Sequence, residues 1–572
     1  MERTDEKMPL LHLHSPQVMV SEHTSDGTVD INKQPALKQS TGNWRACFFI
    51  LGVEFSNCVA FYAISTNLVT YLTNVLHESK ISAAKNASAW VGAYFLTPLL
   101  GAFIADTYLG QYWTAVAFLP VYVVGMMILT VSASLSVFSA ASQGDYVHRV
   151  VVYFGLYLAC LGSGVVKPCI LTLGADQFDI NDPVERVKKG SFFNWYYVAV
   201  SASSLLSGTV LVWLQDNVGW GVGFAIPMVL LLSCLPAFVA ASGIYRFRRI
   251  GVSPLKSLSQ VVVASIRNCN MKLPDDRSLL YELNISPSTS RTNARHVTEH
   301  TNQFRFFDKA AIVPPASHNN QKKPMSSWRL CTVTQVEELK MLLRMSPTWA
   351  SFVMFYAVDV QITSTLVEQG MVMDNRIIGQ FAIPPATLST VTMLSSLIWV
   401  PVYEAVLVPL ARHVTGNAKG FSQLQRLGTG LALSMLTMVY SALVEMQRLA
   451  IAEASGLTNQ SVPVPMSILW QLPAYILQGA AEVFGFIGVT EFFYDHSPET
   501  MKSLCAAFGQ LAISSGSFLS SLLLSFVSVV SKHGTAPGWI PDNLNEGHLD
   551  YFFWMMAALS FLNLVIFVSI AQ

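Results

Sequence analysis

Five ionisable side chains lie inside long apolar stretches of this 572-residue chain: Glu54, Lys167, Asp359, Glu482 and Glu491. A charge at the centre of a bilayer costs about 2.5–3.5 kcal/mol on insertion scales, so such a residue is expected to face a wet cavity or a charged partner. Lys167 and Glu482 have opposite signs and fall in opposite halves of the chain. A pair of this kind could hold the two ends of a zwitterion, which is the chemistry of binding and translocation.

The apolar stretches around these residues are long enough to cross a membrane. Apolar residues make up 52% of the chain and charged residues only 12%, which is about half of the charged fraction of a typical soluble protein. A helix crosses the hydrocarbon core in about 20 residues. Twelve windows meet this length: 45–74, 88–107, 113–137, 149–174, 192–214, 221–245, 345–370, 384–410, 422–447, 466–492, 504–530 and 549–571. We therefore predict an all-α membrane protein with two six-helix bundles.

Four segments follow from this pattern: a tail (1–44), a first bundle (45–246), a linker (247–343) and a second bundle (344–572). The tail is polar and lacks the apolar core of a signal peptide, so we expect it to be a disordered cytoplasmic tail. Lys and Arg concentrate in the tail, the linker and the loops of the same side, which predicts that both termini are cytoplasmic. Two bundles joined by a linker are typical of transporters that bind substrate near the bilayer midplane.

No motif in the sequence would assemble an enzyme active site. The chain has no HExxH, no P-loop, no GxSxG and no Cys/His spacing that would hold zinc. Its clustered polar chemistry lies within the spans, where ionisable residues are costly and usually functional. This favours transport over catalysis. No cofactor, metal or nucleic acid is expected, and the expected partners are the lipid bilayer and a small-molecule or peptide substrate.

A series of motifs from about residue 44 onward resembles the proton-coupled oligopeptide transporters of the major facilitator superfamily, most closely the plant nitrate/peptide transporter family. The motifs are GAFIADTYLGQYWT (101–114), KPCILTLGADQFD (167–179), FFNWYY (192–197), WLQDNVGWGVGFAIP (213–227), VEQGMVMD (367–374), IPPATLST (383–390), LWQLPAYILQGAAEVF (469–484) and EFFYDHSPETMKS (491–503). The resemblance implies the superfamily fold and inward proton-coupled transport of small solutes. Such solutes include di- and tripeptides, nitrate and, in some members, plant hormones and specialised metabolites.

The resemblance also implies roles for single residues. Lys167 matches a lysine that helps to bind substrate and couple protons, and Glu482 matches the acid that meets a peptide amine. Asp106 and Glu491 are expected to act in gating at the cytoplasmic mouth. Positions that match or adjoin the cavity wall, and are expected to bind substrate, are Tyr62, Tyr197, Gln361, Trp470 and Tyr475. For the aromatic residues, helix packing or an interfacial belt is the alternative.

The first span departs from the family pattern of Glu-x-x-Glu-Arg/Lys. Glu54 keeps the first acid, but Asn57 replaces the second acid and Cys58 replaces the base. Positions 54, 57 and 58 share one helix face, and the missing charges would have tuned the proton affinity of Glu54. Glu54 is therefore expected to be the remnant of a proton-coupling site. Asp359, where a nitrate-carrying relative has a His, is a second candidate, with simple pairing to a cation as the alternative. It would repel a bare anion unless it is protonated or paired.

Three functions stay open on the sequence alone. The leading one is proton-driven uptake of di- and tripeptides by alternating access. The second is a uniporter or weakly coupled transporter of nitrate, a hormone or a specialised metabolite, and the third is a membrane substrate sensor. Leu10 and Leu11 complete an acidic dileucine pattern of the kind that adaptor proteins read, so the vacuolar membrane and the plasma membrane are the candidate locations.

Overall fold

Twelve membrane-spanning helices form the fold. The computed structural model describes residues 23–134, 144–179, 181–248, 254–271, 273, 280–282, 300–313, 326–378, 381–415, 421–496, 502–531 and 538–571. Within these residues, the helices long and apolar enough to span a membrane are α1 (Asn43–Ser65), α2 (Lys80–Leu109), α3 (Gln111–Ser134), α4 (Tyr146–Ala175), α5 (Pro183–Asn217), α6 (Trp220–Ile244), α7 (Val333–Met371), α8 (Pro385–His413), α9 (Gln423–Ala454), α10 (Ile468–Val489), α11 (Phe508–Val530) and α12 (Leu549–Ala571). The predicted fold class is confirmed.

Some helices extend well beyond the predicted apolar windows because polar residues cap them. Asp182 accepts hydrogen bonds from the backbone N–H groups of Val184 and Glu185 and precedes Pro183, so α5 begins nine residues before its apolar window. Thr332 and Gln335 form a capping box at the start of α7. The second bundle therefore begins at Val333, inside the segment predicted as linker.

The bundle has two ends, which we name by the segments they carry. The linker end carries residue 43, where α1 begins, and the segments after α6 and before α7. The far end carries the other ends of the same helices, with short strands β1 (Met373–Asp374), β2 (Arg376–Ile378), β3 (Phe381–Ala382) and β4 (Val464–Ser467). Strand β1 pairs with β4 in parallel, and β2 pairs with β3 in antiparallel fashion.

Close helix packing fixes the position of α4, the helix that carries Lys167. A Cβ atom on Gly162 would lie 2.5 Å from the backbone nitrogen of Tyr122 in α3, and one on Gly101 in α2 would lie 2.5 Å from the carbonyl oxygen of Val165. Both distances are too short for a side chain. Small residues are what let helix backbones approach closely within a membrane, so α2, α3 and α4 form one tightly packed unit.

The two bundles meet along α2 and α11. Ser88 and Ser520 share a hydrogen bond of 3.3 Å across this contact, and Ser514 donates to the carbonyl oxygen of Gly92 at 2.8 Å. Near the far end, the backbone amide of Lys80 donates to Asp542 of the second bundle. The short helix Leu68–Asn74 also contacts the last part of α7 there. The contacts between the bundles therefore run from the far end to about the middle of α2.

The described part of the tail is folded, so the expectation of a disordered tail is wrong for residues 23–42. These residues form a hairpin in which Thr24 N–H donates to the Ala36 carbonyl and Asp30 N–H to the Gln34 carbonyl. The hairpin docks on the linker end, where Val29 and Phe247 exchange two backbone hydrogen bonds of 2.9 and 2.8 Å. We call residues 23–42 the docked segment.

Arg246 is the buried cation beneath the docked segment. Its guanidinium is fully buried and pairs with Glu185 at 2.7 Å. It also donates to the carbonyl oxygens of Gln177 and Thr41. One side chain thus connects α5, the end of α4 and the chain just before α1.

The linker is partly helical and packs on the start of α7. Its helix Pro254–Arg267 shares a small apolar core with Ala310, Ala311 and Val336. Lys340 of α7 pairs with Asp308 at 2.6 Å and with Glu337 at 2.8 Å. This core holds the described part of the linker against the second bundle.

Removing the Arg246 charge should destabilise the linker end of the first bundle. Breaking a buried ion pair by deleting one partner costs about 3–5 kcal/mol, because the other charge stays buried without compensation. Arg246→Met should therefore lower the melting temperature of the purified protein. The double variant Arg246→Met/Glu185→Gln should recover part of the loss. An unchanged melting temperature for Arg246→Met would show that the pair does not stabilise the fold.

Candidate functional site

A large cavity lies between the two bundles. Its volume is about 1520 Å³, and its walls come from both bundles. It extends to the linker end, where Gly110, Phe247 and Arg248 line it together with the tip of the docked segment. Because the bundles are joined toward the far end, the cavity is accessible from the linker end. The molecule therefore has the arrangement of a transporter open to one side.

Lys167 is the charged residue that the first bundle presents to the cavity interior. It lies in α4 directly before Pro168, and both residues line the cavity wall. Among the described residues its ammonium makes no ion pair and no hydrogen bond. It lies 5.6 Å from the ring centroid of Tyr94 and 5.9 Å from that of Phe61, within the range of cation–π attraction. The Lys167 charge is thus held by aromatic rings and left available to an anionic group in the cavity.

Two carboxylates face the same cavity from the second bundle. Asp359 in α7 accepts a hydrogen bond of 2.9 Å from the Gln478 amide, and Glu482 in α10 accepts one of 2.7 Å from the Ser396 hydroxyl. Both acids line the cavity and are close enough for their charges to repel each other. Two neighbouring carboxylates in a low-dielectric site favour a bound cation or a shared proton.

The cavity therefore combines a cation on one bundle with two acids on the other. A molecule with an anionic group and an ammonium group could satisfy both walls at once. Such a ligand would join the bundles across the space in which they must move relative to each other. In alternating access, rocking of the bundles around a ligand at their interface is the step that carries it across the membrane.

Aromatic rings form much of the remaining cavity surface. The aromatic residues of the wall are Phe61, Tyr62, Phe95, Tyr108, Tyr112, Trp113, Tyr196, Tyr197, Phe247, Phe355, Tyr356 and Phe486. Aromatic faces accept apolar groups and also attract cations. The volume and the aromatic surface suit ligands with bulky apolar side chains better than a small inorganic anion.

Glu54 does not reach the cavity wall. Its side chain is fully buried in α1, and its Oε1 atom accepts hydrogen bonds from Tyr196 at 2.5 Å and from the Cys58 thiol at 3.3 Å. Its Oε2 atom has no hydrogen-bond partner among the described residues. Tyr196, which does line the cavity, lies between Glu54 and the cavity.

The two replaced positions of the first-span motif are also buried. The Oδ1 atom of the Asn57 side chain accepts a hydrogen bond of 2.7 Å from the Ser163 hydroxyl in α4, and the Cys58 thiol donates to Glu54. Glu54 thus has neutral neighbours on its own helix. The Lys167 ammonium is close enough to interact electrostatically with Glu54 and Cys58. The residues that remain of the motif are therefore coupled by charge to the candidate substrate site.

The other predicted substrate-binding residues divide into two groups. Tyr62 and Tyr197 line the cavity. Gln361 does not, because its amide is used within the second bundle, where it donates to Ser520 and accepts from Thr365. Tyr475 is buried in the core of the second bundle, and Trp470 is 58% exposed on its outer surface.

The predicted gating residues lie at the linker end. Asp106 is part of a wide helical turn, Ala105–Leu109, and lines the cavity near Arg248. Glu491 is in the helix Phe486–Asp495, which continues α10, but its side chain lies outside the described set. Leu10 and Leu11 also lie outside the described residues.

A second acid at this end, Asp176, was not singled out from the sequence. Burial raises the pKa of its carboxyl to about 6, and the positive charges of Arg248 and Lys189 act against this increase. It lines the cavity together with Arg248. The linker end of the cavity thus carries mixed charges rather than a uniform field.

Three uncharged polar residues of the site were also missed from the sequence: Tyr196, Ser396 and Gln478. Tyr196 was present in the FFNWYY motif, but its neighbour Tyr197 was chosen, and only helix phase shows which of the two meets Glu54. Gln478 lies four residues before Glu482, and this spacing places both on one face of α10. No feature of the sequence marked Ser396 as a site residue, because a lone serine in a span is common.

Comparison with known proteins agrees with this architecture. The family model described as "PTR2: POT family" matches residues 112–540. The chain is 47% identical over 552 residues to protein NRT1/PTR family 8.3 of Arabidopsis thaliana, covering 95% of this chain and 94% of the relative. It is 46% identical to protein NRT1/PTR family 8.2 of the same organism, covering 96% and 97%.

Two solved structures share the fold. The in meso crystal structure of the POT family transporter PepTSo has a TM-score of 0.68 at 20% identity, covering 92% of this chain and 98% of that one. The crystal structure of an auto-inhibited POT family peptide transporter has a TM-score of 0.65 at 19% identity, covering 92% and 96%. A family model that spans most of the sequence, and relatives of nearly half identical sequence along their whole length, agree with the two-bundle cavity. The chain thus belongs to the POT (NRT1/PTR) family and is a membrane transporter, not an enzyme.

Proposed function

We propose that the protein transports di- and tripeptides, or amphoteric solutes of similar size, by proton-coupled alternating access. The observation that carries this proposal is the Lys167 ammonium, which has no ion-pair partner within the described ranges and faces the cavity opposite the Asp359 and Glu482 carboxylates. A peptide carboxylate would bind at Lys167 and a peptide amine at the acid pair. Both charges of the ligand would then be matched inside a site where unmatched charge is expensive.

Nitrate is a poorer fit to this cavity. A bare anion would find one cation, Lys167, but would also face Asp359 and Glu482 without a positive group of its own to place there. It would in addition leave most of the aromatic surface unused. We therefore rank nitrate below amphoteric ligands with apolar side chains.

Protons would enter this scheme at the carboxylates. Asp359 and Glu482 repel each other when both are ionised, so one of them gains by holding a proton whenever no ligand amine is present. Glu54 is a further proton site, reached from the cavity through the Tyr196 hydroxyl. Proton release would follow when the bound amine supplies the missing positive charge.

A uniporter or weakly coupled transporter is the second candidate function. The observation that favours it is the neutral environment of Glu54, which has Cys58 and Tyr196 as its hydrogen-bond donors and lies behind the cavity wall. Without a cation in the first-span motif, proton binding at Glu54 would have less influence on the substrate site. This function predicts transport that does not depend on pH.

Loss of the Lys167 charge should strongly reduce dipeptide uptake. A hydrogen bond to a charged group contributes about 1.5–3 kcal/mol, so Lys167→Ala should weaken dipeptide binding on the order of 10- to 100-fold. Uptake would be measured in voltage-clamped oocytes, with surface expression measured on the same cells. Trp470→Ala is the matched control, because Trp470 is exposed and away from the cavity. Glu482→Gln should impair free dipeptides much more than N-acetylated ones.

Uptake at the wild-type rate in Lys167→Ala would remove Lys167 from substrate binding. Equal losses for free and acetylated dipeptides in Glu482→Gln would argue against an amine contact at this acid.

Neutralising Glu54 should reduce the pH dependence of transport. Glu54→Gln keeps the shape of the side chain but removes the proton site, so the increase of uptake on external acidification should become smaller. Tyr196→Phe should have a weaker effect in the same direction, because it removes the hydrogen bond but leaves the carboxyl group. The measurement is dipeptide uptake at two external pH values. If Glu54→Gln changes neither rate nor pH profile, Glu54 is a structural relic.

We propose the vacuolar membrane as the location, on the basis of the dileucine pattern in the tail. If adaptor proteins read Leu10 and Leu11, replacing both with Ala should shift a fluorescently tagged protein from the vacuolar membrane toward the plasma membrane. The tagged wild-type protein in the same cells is the control. An unchanged distribution would show that this pattern carries no sorting information.

A further inference from the structure

The docked segment reaches the entrance of the transport cavity. Its tip, which includes Val29, Asp30, Ile31 and Lys33, lines the cavity at the linker end. The tip is a tight turn in which Lys33 N–H donates to the Asp30 carbonyl, with Lys33 at a positive φ of 64°. A folded tail that forms part of the entrance is in a position to regulate opening and closing at this end.

The first residues of the docked segment are held by one buried carboxylate. The Asp179 Oδ2 atom accepts the backbone N–H of Ser25 at 2.7 Å and the Ser25 hydroxyl at 2.9 Å. The Asp179 side chain is fully buried, with Lys38 at 3.8 Å. Burial by itself would raise the pKa of Asp179, but the hydrogen bonds from Ser25 and Asn181, together with Lys38, hold it below its ordinary value. Asp179 is therefore an ionised acceptor at neutral pH.

Ser25 differs from the other anchors of the segment because it is exposed. Thr28, Val29, Thr41 and Arg246 are buried, whereas Ser25 lies at the surface. Its hydroxyl has a single proton, which is donated to Asp179. An accessible hydroxyl that holds a folded segment against an anion is a site where added negative charge would break the contact.

We propose that the docked segment is a latch on the cavity entrance and that Ser25 is a phosphorylation site that releases it. A protein kinase would transfer the γ-phosphoryl group of ATP to the Ser25 oxygen. The bond between the γ-phosphorus and the bridging oxygen of ATP breaks, ADP leaves, and the hydroxyl proton passes to the kinase. The regulation rests on the proposed transport function, whereas the release of the latch does not.

The charges around Ser25 favour release rather than a new contact for the phosphate. The acids near this anchor are Asp26, Asp176, Asp179, Asp182 and Glu185, and the cations are Lys38, Lys189, Arg246 and Arg248. The cations already interact with acids: Lys38 pairs with Asp182 at 3.0 Å, and Arg246 pairs with Glu185. Lys189 interacts with Asp176 and Asp26, and Arg248 with Asp106 and Asp176. A phosphate carrying close to two negative charges would sit directly against the Asp179 carboxylate.

Release matters because the entrance must close during the transport cycle. To open toward the far end, the two bundles have to approach each other at the linker end. The hairpin tip occupies part of the space into which they would move. A latched segment would therefore slow this step, and a released segment would allow it.

A reversible lock tests the latch directly. Val29 and Phe247 exchange two backbone hydrogen bonds, and residues paired in this way have Cα atoms about 5.5 Å apart, within the range of a disulfide. Val29→Cys/Phe247→Cys should cross-link under oxidising conditions. Dipeptide uptake into proteoliposomes should then fall at least tenfold and recover with reductant, while neither single variant responds to reductant. Full uptake by the cross-linked protein would overturn the latch.

The modification site is tested by phosphoserine at position 25 of the full-length protein. A spin label on Ile31, which is 41% exposed, reports release as increased mobility without requiring any substrate. Loss of a hydrogen bond to a charged group corresponds to about a tenfold shift in the equilibrium, and charge repulsion should increase it further. Phosphoserine and Ser25→Asp should both mobilise the label more than Ser25→Ala. Ser40→Asp, the same change at another exposed serine of the segment, should not mobilise it.

Equal label mobility in the phosphoserine and unmodified proteins would overturn Ser25 as the release site. A label that is mobilised in a protein that transports none of the dipeptides tested would support the latch and contradict the proposed substrate class. The release of the latch and the proposed substrate class are therefore contradicted by different measurements.

Discussion

The rest of this structure depends on one constraint: an ammonium group in the membrane interior that has no ion-pair partner in the part of the chain that the structure describes. Lys167 lies in the middle of a spanning helix, and its charge is tolerated because it faces a wet cavity and aromatic rings rather than lipid. The carboxylates on the opposite wall cannot neutralise it permanently, since they belong to a bundle that must move relative to it. The zwitterionic ligand that we propose would satisfy both walls at once.

The packing of the bundles follows from this requirement. Helices α2, α3 and α4 are held together by glycine contacts too close for any side chain, so the first bundle moves as a unit with Lys167 attached to it. Across the interface between bundles, serine hydrogen bonds such as Ser88–Ser520 lie beside apolar contacts such as that of the Phe518 ring with Gly92. Such contacts are weak enough to exchange, which suits a surface that must separate when the cavity opens to the far end. Rigid bundles and an exchangeable interface are the mechanical basis of alternating access.

The sequence predicted most of the fold because hydrophobic spans are long, continuous signals. All twelve spans were found, and the errors lay at capped ends such as Thr332, where polar turns extend a helix beyond the apolar window. The tail was misjudged because residues 23–42 are polar and are ordered by specific bonds to Arg246 and Asp179, which composition does not show.

The site was predicted in part. Charged residues in spans are conspicuous, so Lys167, Asp359 and Glu482 were identified, whereas Gln361 and Tyr475 share their helices but face the packed interior. Which side of a helix faces a cavity depends on tertiary packing that a single sequence does not reveal.

The central claim is that one amphoteric ligand joins the two bundles through opposite charges. The most direct measurement is an electron cryomicroscopy structure of the full-length protein in lipid nanodiscs with a bound dipeptide such as Ala-Phe. We expect the peptide carboxylate within hydrogen-bond distance of the Lys167 Nζ atom and the peptide amine beside Glu482 or Asp359, with the Phe ring against the aromatic wall. A peptide bound with its carboxylate away from Lys167, or a Lys167 ion-paired with Glu54 while the peptide lies elsewhere, would contradict the account.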